Sequence, residues 1–178
     1  MALDLPDDAR ERLADWRDRA VAGRDDLRPV AAGALHVTMV FLGYLPEKEA
    51  PRIIEAIATS AAGASAPSLR AGELMPVPPR RPRLFALNLD DAAGRATALQ
   101  AALAERLVAG RLYEPEKRPF WPHLTLARVK RARRAERIEA PPAPDDRFEA
   151  IDLTLYRSTL RPQGALYEPL ARERLGGG

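Results

Sequence analysis

Two stretches decide how this chain folds: Ala34-Leu35-His36-Val37-Thr38-Met39-Val40-Phe41-Leu42-Gly43 and Pro122-His123-Leu124-Thr125-Leu126-Ala127-Arg128-Val129. Each holds one of the chain's 2 histidines, and each His has Thr two places downstream. With 6 threonines in 178 residues, that coincidence has odds of about one in a thousand, which marks a specific motif. Both runs are apolar and β-branched, the first closed by Gly43 and Pro46 and the second opened by Pro122, so both read as buried strands. On a strand, residues i and i+2 leave the same face roughly 7 Å apart, so each His shares its space with its Thr. On a helix the two would lie about 200° apart and could not share a ligand.

Two imidazoles and two hydroxyls aimed into one space match the needs of a phosphate ester under attack. A His with a pKa of about 6.5 exists in both protonation states near neutrality. One ring can therefore take a proton from water while the other returns one to the leaving oxygen. Threonine hydroxyls can donate to the non-bridging oxygens, where charge builds in the transition state. This chemistry needs no metal, and no cofactor is expected. A strand can also hold a His that is merely a satisfied core residue, but a matched pair with matched threonines argues for shared chemistry.

The doubled His-x-Thr-x motif, its spacing of 87 residues (36 to 123) and its settings His-Val-Thr-Met-Val-Phe-Leu-Gly and Pro-His-Leu-Thr-Leu-Ala-Arg resemble the two-histidine (2H) phosphoesterases. Within them the chain looks like the LigT/ThpR type, the RNA 2′,3′-cyclic phosphodiesterases also called 2′-5′ RNA ligases. The flanks that carry this are Ala2-Leu3-Asp4-Leu5-Pro6, Arg81-Pro82-Arg83-Leu84-Phe85-Ala86-Leu87, Tyr156-Arg157-Ser158-Thr159-Leu160 and Gly164-Ala165-Leu166-Tyr167. The resemblance implies an α+β fold: a bilobed, pseudo-twofold duplicated unit, with two antiparallel sheets facing a central cleft and helices on the outer sides. It also implies hydrolysis of RNA 2′,3′-cyclic phosphate ends to 2′-phosphomonoesters. His36 would donate a proton to the departing 3′ oxygen, His123 would accept one from water, and Thr38 and Thr125 would hold the phosphate. Reverse 2′-5′ ligation would use the same groups. The residues alone leave acid and base open, because the two motifs are nearly symmetric.

One departure concerns the start. Relatives usually open with a full strand before Leu-Asp-Leu-Pro, whereas this chain begins Met1-Ala2-Leu3-Asp4. Either the first strand is short or the natural start lies upstream. Two other readings compete with RNA-end hydrolysis. The substrate could be a small cyclic phosphate, such as a nucleoside 2′,3′-cyclic phosphate or ADP-ribose 1″,2″-cyclic phosphate. The chain could also be a non-catalytic RNA-binding module, against which retention of both His and both Thr argues.

Composition fits one domain over residues 1–178: 46% of the residues are apolar, which is enough for one core. No apolar run approaches a membrane span, and Asp4, Asp7 and Asp8 lack the basic-then-apolar order of a signal peptide. Zero cysteines exclude disulfides and thiolate metal sites. A cytoplasmic monomer is the expectation. The net charge is only +3, but basic residues crowd the second motif: Lys117 and Arg118 before it, and Arg128, Lys130, Arg131, Arg133, Arg134 and Arg137 after it. Arg80, Arg81 and Arg83 form a third cluster. Such residues suit a polyanion, here RNA with cyclic phosphate ends, tRNA fragments among them, or a small cyclic nucleotide, although basic runs are also ordinary solvated surface.

Apolar spacing predicts helices over about 7–21 (Ala9, Leu13, Trp16, Ala20 inward), 47–62 (Ile53, Ile54, Ile57, Ala61) and 92–109 (Ala96, Leu99, Leu103, Leu107). Strands are expected over 83–89, 148–155 and 165–172, the last two joined by a turn at Pro162-Gln163-Gly164. The Pro-rich segment 76–82 reads as irregular, 131–146 reads as a loop bordering the cleft, and 176–178 reads as a disordered tail. Alternation puts Leu35, Val37, Met39 and Phe41 on an apolar face opposite His36 and Thr38. Arg128 falls out of phase, on the side of Leu124 and Leu126, so the strand must leave the core there or the side chain must reach around its edge. Arg128, Tyr156, Ser158 and Phe120, with Trp121 beside it, are further candidate substrate contacts. Aromatics can stack on bases for about 1–3 kcal/mol, although aromatics beside strands are more often core.

Overall fold

The computed structural model describes residues 1–161 and 164–176. Chain order is β1 (Ala2–Asp4), α1 (Asp7–Ala20), β2 (Leu27–Pro29), β3 (His36–Thr38), α2 (Ala50–Ala62), β4 (Ser68–Val77), β5 (Leu84–Asp90), α3 (Arg95–Ala109), β6 (His123–Val129), β7 (Arg147–Glu149), β8 (Asp152–Arg161) and β9 (Gly164–Arg174). The helices form where the apolar stripes lie. In α1, Asp7 and Asp8 sit at the positive end and Arg17 and Arg19 at the negative end, while Ala9, Leu13, Trp16 and Ala20 are buried. In α3, Ala96, Leu99, Leu103 and Leu107 are buried, and the Asp91 carboxylate caps the first turn by accepting from the backbone N–H groups of Ala96 (3.2 Å) and Thr97 (2.9 Å). The 47–62 helix divides into a 3₁₀ turn, Glu47–Glu49, and α2, with Ile53, Ile57 and Ala61 buried and Ile54 half-buried.

Among the described residues the strands form one nine-stranded antiparallel sheet, in the order β7-β4-β5-β6-β3-β1-β8-β9, with β2 pairing onto β6. The α+β class and the pseudo-twofold plan hold, since β1-α1-β3 and β5-α3-β6 are equivalent units at the centre. One feature of the expected arrangement changes. The two half-sheets do not face one another as separate layers; they run together edge to edge where β3 pairs with β6, and the sheet curls into a half-barrel. Twist accounts for this: each strand is rotated from its neighbour, so a long sheet bends into a concave surface without breaking. Leu3, Val37, Leu87, Leu124 and Leu153 point away from the concave side into the core. There α1 lies by β4 and β7, its Ala9 and Leu13 next to Ala71 and Phe148, while α2 lies against α3, β8 and β9.

Other differences have local causes. β3 stops at Thr38, and the N–H groups of Met39 and Val40 both turn to the Met1 carbonyl. Alternation ends with that kink, so Leu35, Val37 and Met39 are buried but Phe41 is 69% exposed rather than on the apolar face. β1 has three residues, the short strand expected. β4 enters the Pro-rich segment only with its last two residues, Pro76 and Val77, and is bulged between Ala71 and Leu74. The loop 131–146 borders α1 rather than the cleft: Trp16 Nε1 donates to the Pro141 carbonyl (3.0 Å) and Ile138 is buried. Gly176, placed in a disordered tail by sequence, donates its N–H to the Ala64 carbonyl (3.0 Å), while Gly177 and Gly178 lie outside the described residues. So do Pro162 and Gln163 of the expected turn. No helix among the described residues is long and apolar enough to cross a membrane.

Candidate active site

The seam between the half-sheets carries both motifs. Its register pairs Val37 with Leu124 in antiparallel fashion, and both of these side chains are fully buried on the core face. Their neighbours His36, Thr38, His123 and Thr125 must then leave the opposite, concave face. Continuing the register sets His36 across from Thr125 and Thr38 across from His123. The two imidazoles thus occupy diagonal corners, a relation that separates Cα atoms by about 7–8 Å. All four side chains line one cleft of about 690 Å³ that is open to solvent, with Arg28, Arg128 and Tyr167 around it.

Each histidine stands in a shell built to the same plan. Beside β3, β1 places Ala2 opposite Thr38 and Asp4 opposite His36. Beside β6, β5 places Ala86 opposite Thr125 and Asn88 opposite His123. An aromatic ring stacks on each imidazole and is tied to the cross-strand partner. Tyr156 lies over His36 (centroids 5.8 Å, 21°) and donates its hydroxyl to Asp4 Oδ1 at 2.7 Å. Trp121 lies over His123 (4.3 Å, 18°) and donates Nε1–H to Asn88 Oδ1 at 2.6 Å. Gly72 makes room for that amide: a Cβ there would stand 3.2 Å from Asn88 Nδ2 and 3.3 Å from the Asn88 backbone carbonyl oxygen. His123 Nδ1 sits 2.7 Å from the Trp121 carbonyl, and His36 is hydrogen-bonded to the backbone of Ala34. Both partners lie two residues upstream of their His. A carbonyl on Nδ1 holds the proton there and leaves Nε2 of His123 free as an acceptor.

The shells differ electrostatically. Burial pulls the His36 pKa down from 6.5 to about 4, helped by the Met1 ammonium and by His123, and opposed by the Asp4 charge and the Ala34 hydrogen bond. At pH 7 this ring is neutral. Asp4 also accepts from Thr154 Oγ1 at 2.7 Å and pairs with Arg172 at 3.5 Å. Burial and the Asp4 hydrogen bond push Tyr156 up to about 12, so its hydroxyl stays protonated as a donor. Tyr167 meets His36 edge-on at 4.8 Å and also stands edge-on to Tyr156 at 5.9 Å.

Of the residues singled out by sequence, His36, Thr38, His123, Thr125 and Arg128 come together in the cleft. The phase problem at Arg128 is resolved by a β-bulge. Ala86 pairs with Thr125 but Phe85 with Ala127, so Leu126 is the inserted residue and the strand's faces exchange beyond it. Arg128 thereby rejoins the side of His123. Tyr156 touches His36 and Trp121 touches His123, as packing partners of the rings. Ser158 is exposed on β8 opposite Tyr167. Phe120 packs against the hydrophobic core, where an aromatic beside a strand end gains the most burial, rather than forming a stacking platform in the cleft. Sequence reasoning missed Asp4, Asn88, Arg28 and Tyr167. Of the basic clusters, Arg128 is the member that lines the cleft; Arg28, its cross-strand partner, joins it from β2.

Fold and site together define a two-histidine phosphoesterase architecture. The profile of the 2′-5′ RNA ligase superfamily matches residues 5–160, and the chain belongs to that family. It is 32% identical to an RNA 2′,3′-cyclic phosphodiesterase of Escherichia coli, over 96% of this chain and 92% of that one. A second enzyme of that name, from Aeropyrum pernix, is 29% identical over 89% and 92% of the two chains. A crystallised protein of Thermus thermophilus superposes with a TM-score of 0.84 at 27% identity, covering 99% of this chain and 96% of that one. E. coli LigT in complex with 3′-AMP gives 0.79 at 26% identity, covering 98% and 95%.

Proposed function

We propose that this chain hydrolyses 2′,3′-cyclic phosphate ends of RNA to 2′-phosphomonoesters, acting in the cytoplasm as a single domain. The observation that carries the proposal is the quartet at the seam: two His and two Thr on one face, lining one cleft with Arg128 at its edge. His123 Nε2 takes a proton from water as the water oxygen bonds to phosphorus. The P–O3′ bond breaks, and His36 delivers a proton to O3′, leaving a 2′-phosphate and a free 3′-hydroxyl. Thr38 and Thr125 donate to the non-bridging oxygens, and Arg128 offsets their charge. The His36 pKa of about 4 makes the ring neutral at pH 7 by itself, so it gains its proton together with the anionic substrate, whose charge favours the imidazolium. A 5′-hydroxyl entering in place of water would form a 2′-5′ linkage through the same groups.

The deciding assay compares an oligonucleotide and a mononucleotide, each ending in a 2′,3′-cyclic phosphate, and identifies the product by its resistance or sensitivity to a 2′-specific phosphatase. Turnover of the oligonucleotide to a 2′-phosphate supports the proposal. Faster turnover of the mononucleotide points to small cyclic phosphates, and RNA binding without turnover points to a binding module.

A further inference from the structure

The cross-strand partners of the two histidines differ in one side-chain group. Ala2-Leu3-Asp4-Leu5 on β1 and Ala86-Leu87-Asn88-Leu89 on β5 occupy corresponding places, but the residue opposite His36 carries a carboxylate and the residue opposite His123 carries an amide. Each is fixed by the same device, a hydrogen bond from the aromatic ring stacked on its histidine. Asp4 accepts two hydroxyl protons at 2.7 Å, from Tyr156 and Thr154, and its side chain is only 12% exposed. Asn88 must turn its carbonyl oxygen to Trp121, because an indole N–H can only donate.

We propose that Asp4 is a positioning residue that makes His36 the proton-carrying member of the pair, and that the neutral amide of Asn88 at the equivalent place keeps His123 the proton acceptor. The inference rests on the reaction proposed above and names what assigns the roles within it. The charged and titratable groups facing His36 are Asp4 and the Met1 amino group from the β1 side, Tyr156 from β8, Tyr167 and Arg172 from β9, and His123 from β6; Arg28 and Arg128 share the cleft. Asp4 is the anion among them. Arg172 is 55% exposed, so solvent screens its charge, whereas the carboxylate acts within the buried seam. Substrate phosphate adds a second negative charge on the other side of the ring. An imidazolium at His36 then stands between two anions. The same phosphate beside His123 meets a neutral amide and an indole, so that ring has less to gain by keeping a proton.

The test is the pH dependence of kcat on a cyclic-ended oligonucleotide, with melting curves to verify folding. Asp4→Asn should lower kcat about tenfold at neutral pH with KM changed less than about twofold, and should move the alkaline limb, which reports protonated His36, down by about one unit. Asp4→Glu should restore part of the loss. Asn88→Asp should move the acidic limb, which reports neutral His123, up by a similar amount. Tyr156→Phe keeps the charge and should leave both limbs in place. An unmoved alkaline limb in a folded Asp4→Asn protein, or movement of its acidic limb instead, overturns the inference while leaving the reaction standing. Should Asp4→Asn not fold, an unmoved acidic limb in Asn88→Asp overturns it. A wild-type protein without turnover overturns both readings.

Discussion

The β1-β3 half of the seam and the β5-β6 half share a frame but not an environment. Both place Ala opposite Thr and a small polar residue opposite His, and both stack a tethered aromatic on the imidazole. Around His36, however, there are two tyrosines, a carboxylate and enough burial to bring the ring's pKa to about 4. Around His123 there are an indole and an amide. What repeats is the geometry that brings two imidazoles and two hydroxyls to one cleft; what differs is the side chain across from each ring, a carboxylate beside His36 and an amide beside His123. In the proposed reaction two copies of one motif become an acid and a base by their neighbours, since an imidazole is chemically the same residue in either role.

The comparison breaks most visibly if one histidine proves dispensable. His36→Ala and His123→Ala should each reduce kcat on a cyclic-ended oligonucleotide by at least about a hundredfold, the usual worth of general acid or base catalysis, with unchanged far-ultraviolet circular dichroism. Near wild-type turnover in either variant would remove that ring from the mechanism. The threonines come next. Thr38→Val and Thr125→Val keep shape but delete the hydroxyl, and each should lose about a hundredfold in kcat, the scale of one oxyanion donor. Equal losses mean that the phosphate is clamped symmetrically; a tenfold inequality locates the reacting oxygen nearer one half.

Much of this arrangement was legible in the residues. The helical stripes lie where the 3.6-residue spacing put them, because Leu13, Trp16, Leu99, Leu103 and Leu107 had a sheet to cover. The motif strands were legible for the same reason, since Val37 and Leu124 needed burial and their neighbours did not. The rest depends on interactions distant in sequence. The bulge at Leu126 exists only in the pairing with β5, so Arg128 looked out of phase. β4 was hidden by Gly72 and Pro76 and by its own bulge, which blur alternation. Phe41 leaves the apolar face because Met39 and Val40 bond to Met1, some forty residues away in sequence. One signal was present and overlooked: Ala-Leu-Asp-Leu at 2–5 is echoed by Ala-Leu-Asn-Leu at 86–89, at nearly the separation of the histidine motifs. Searching for that echo would have found Asp4 and Asn88 before any coordinates.

A smaller effect is expected from the tethers. Trp121→Phe keeps a ring over His123 but loses the 2.6 Å bond to Asn88, and Tyr156→Phe loses the 2.7 Å bond to Asp4. Each bond is worth on the order of 1 kcal/mol, more where the acceptor is charged, so kcat should drop several-fold in each case. If the Tyr156 variant alone is impaired, the two shells are not equivalent in holding their rings.

The gentlest test reads the same asymmetry in stability. In the unfolded chain His36 titrates near its ordinary 6.5, but in the folded chain near 4. Between those values the unfolded state holds a proton that the folded state does not, and protonation therefore favours unfolding. The contribution is fully present above pH 6.5 and is lost as pH falls toward 4, with no further loss from this group below that. The Met1 amino group, lowered to about 6 by burial, adds the same sign between pH 8 and pH 6. Melting temperature should thus fall on acidification from about pH 6.5 to about pH 4.5, by an amount on the order of a few degrees attributable to His36. His36→Gln should flatten that part of the slope, and His123→Gln should retain it because the His36 ring remains. Equal slopes in the two variants would mean that the cleft buries its two imidazoles alike, and the division between the half-sites would then rest on Asp4 and Asn88 alone.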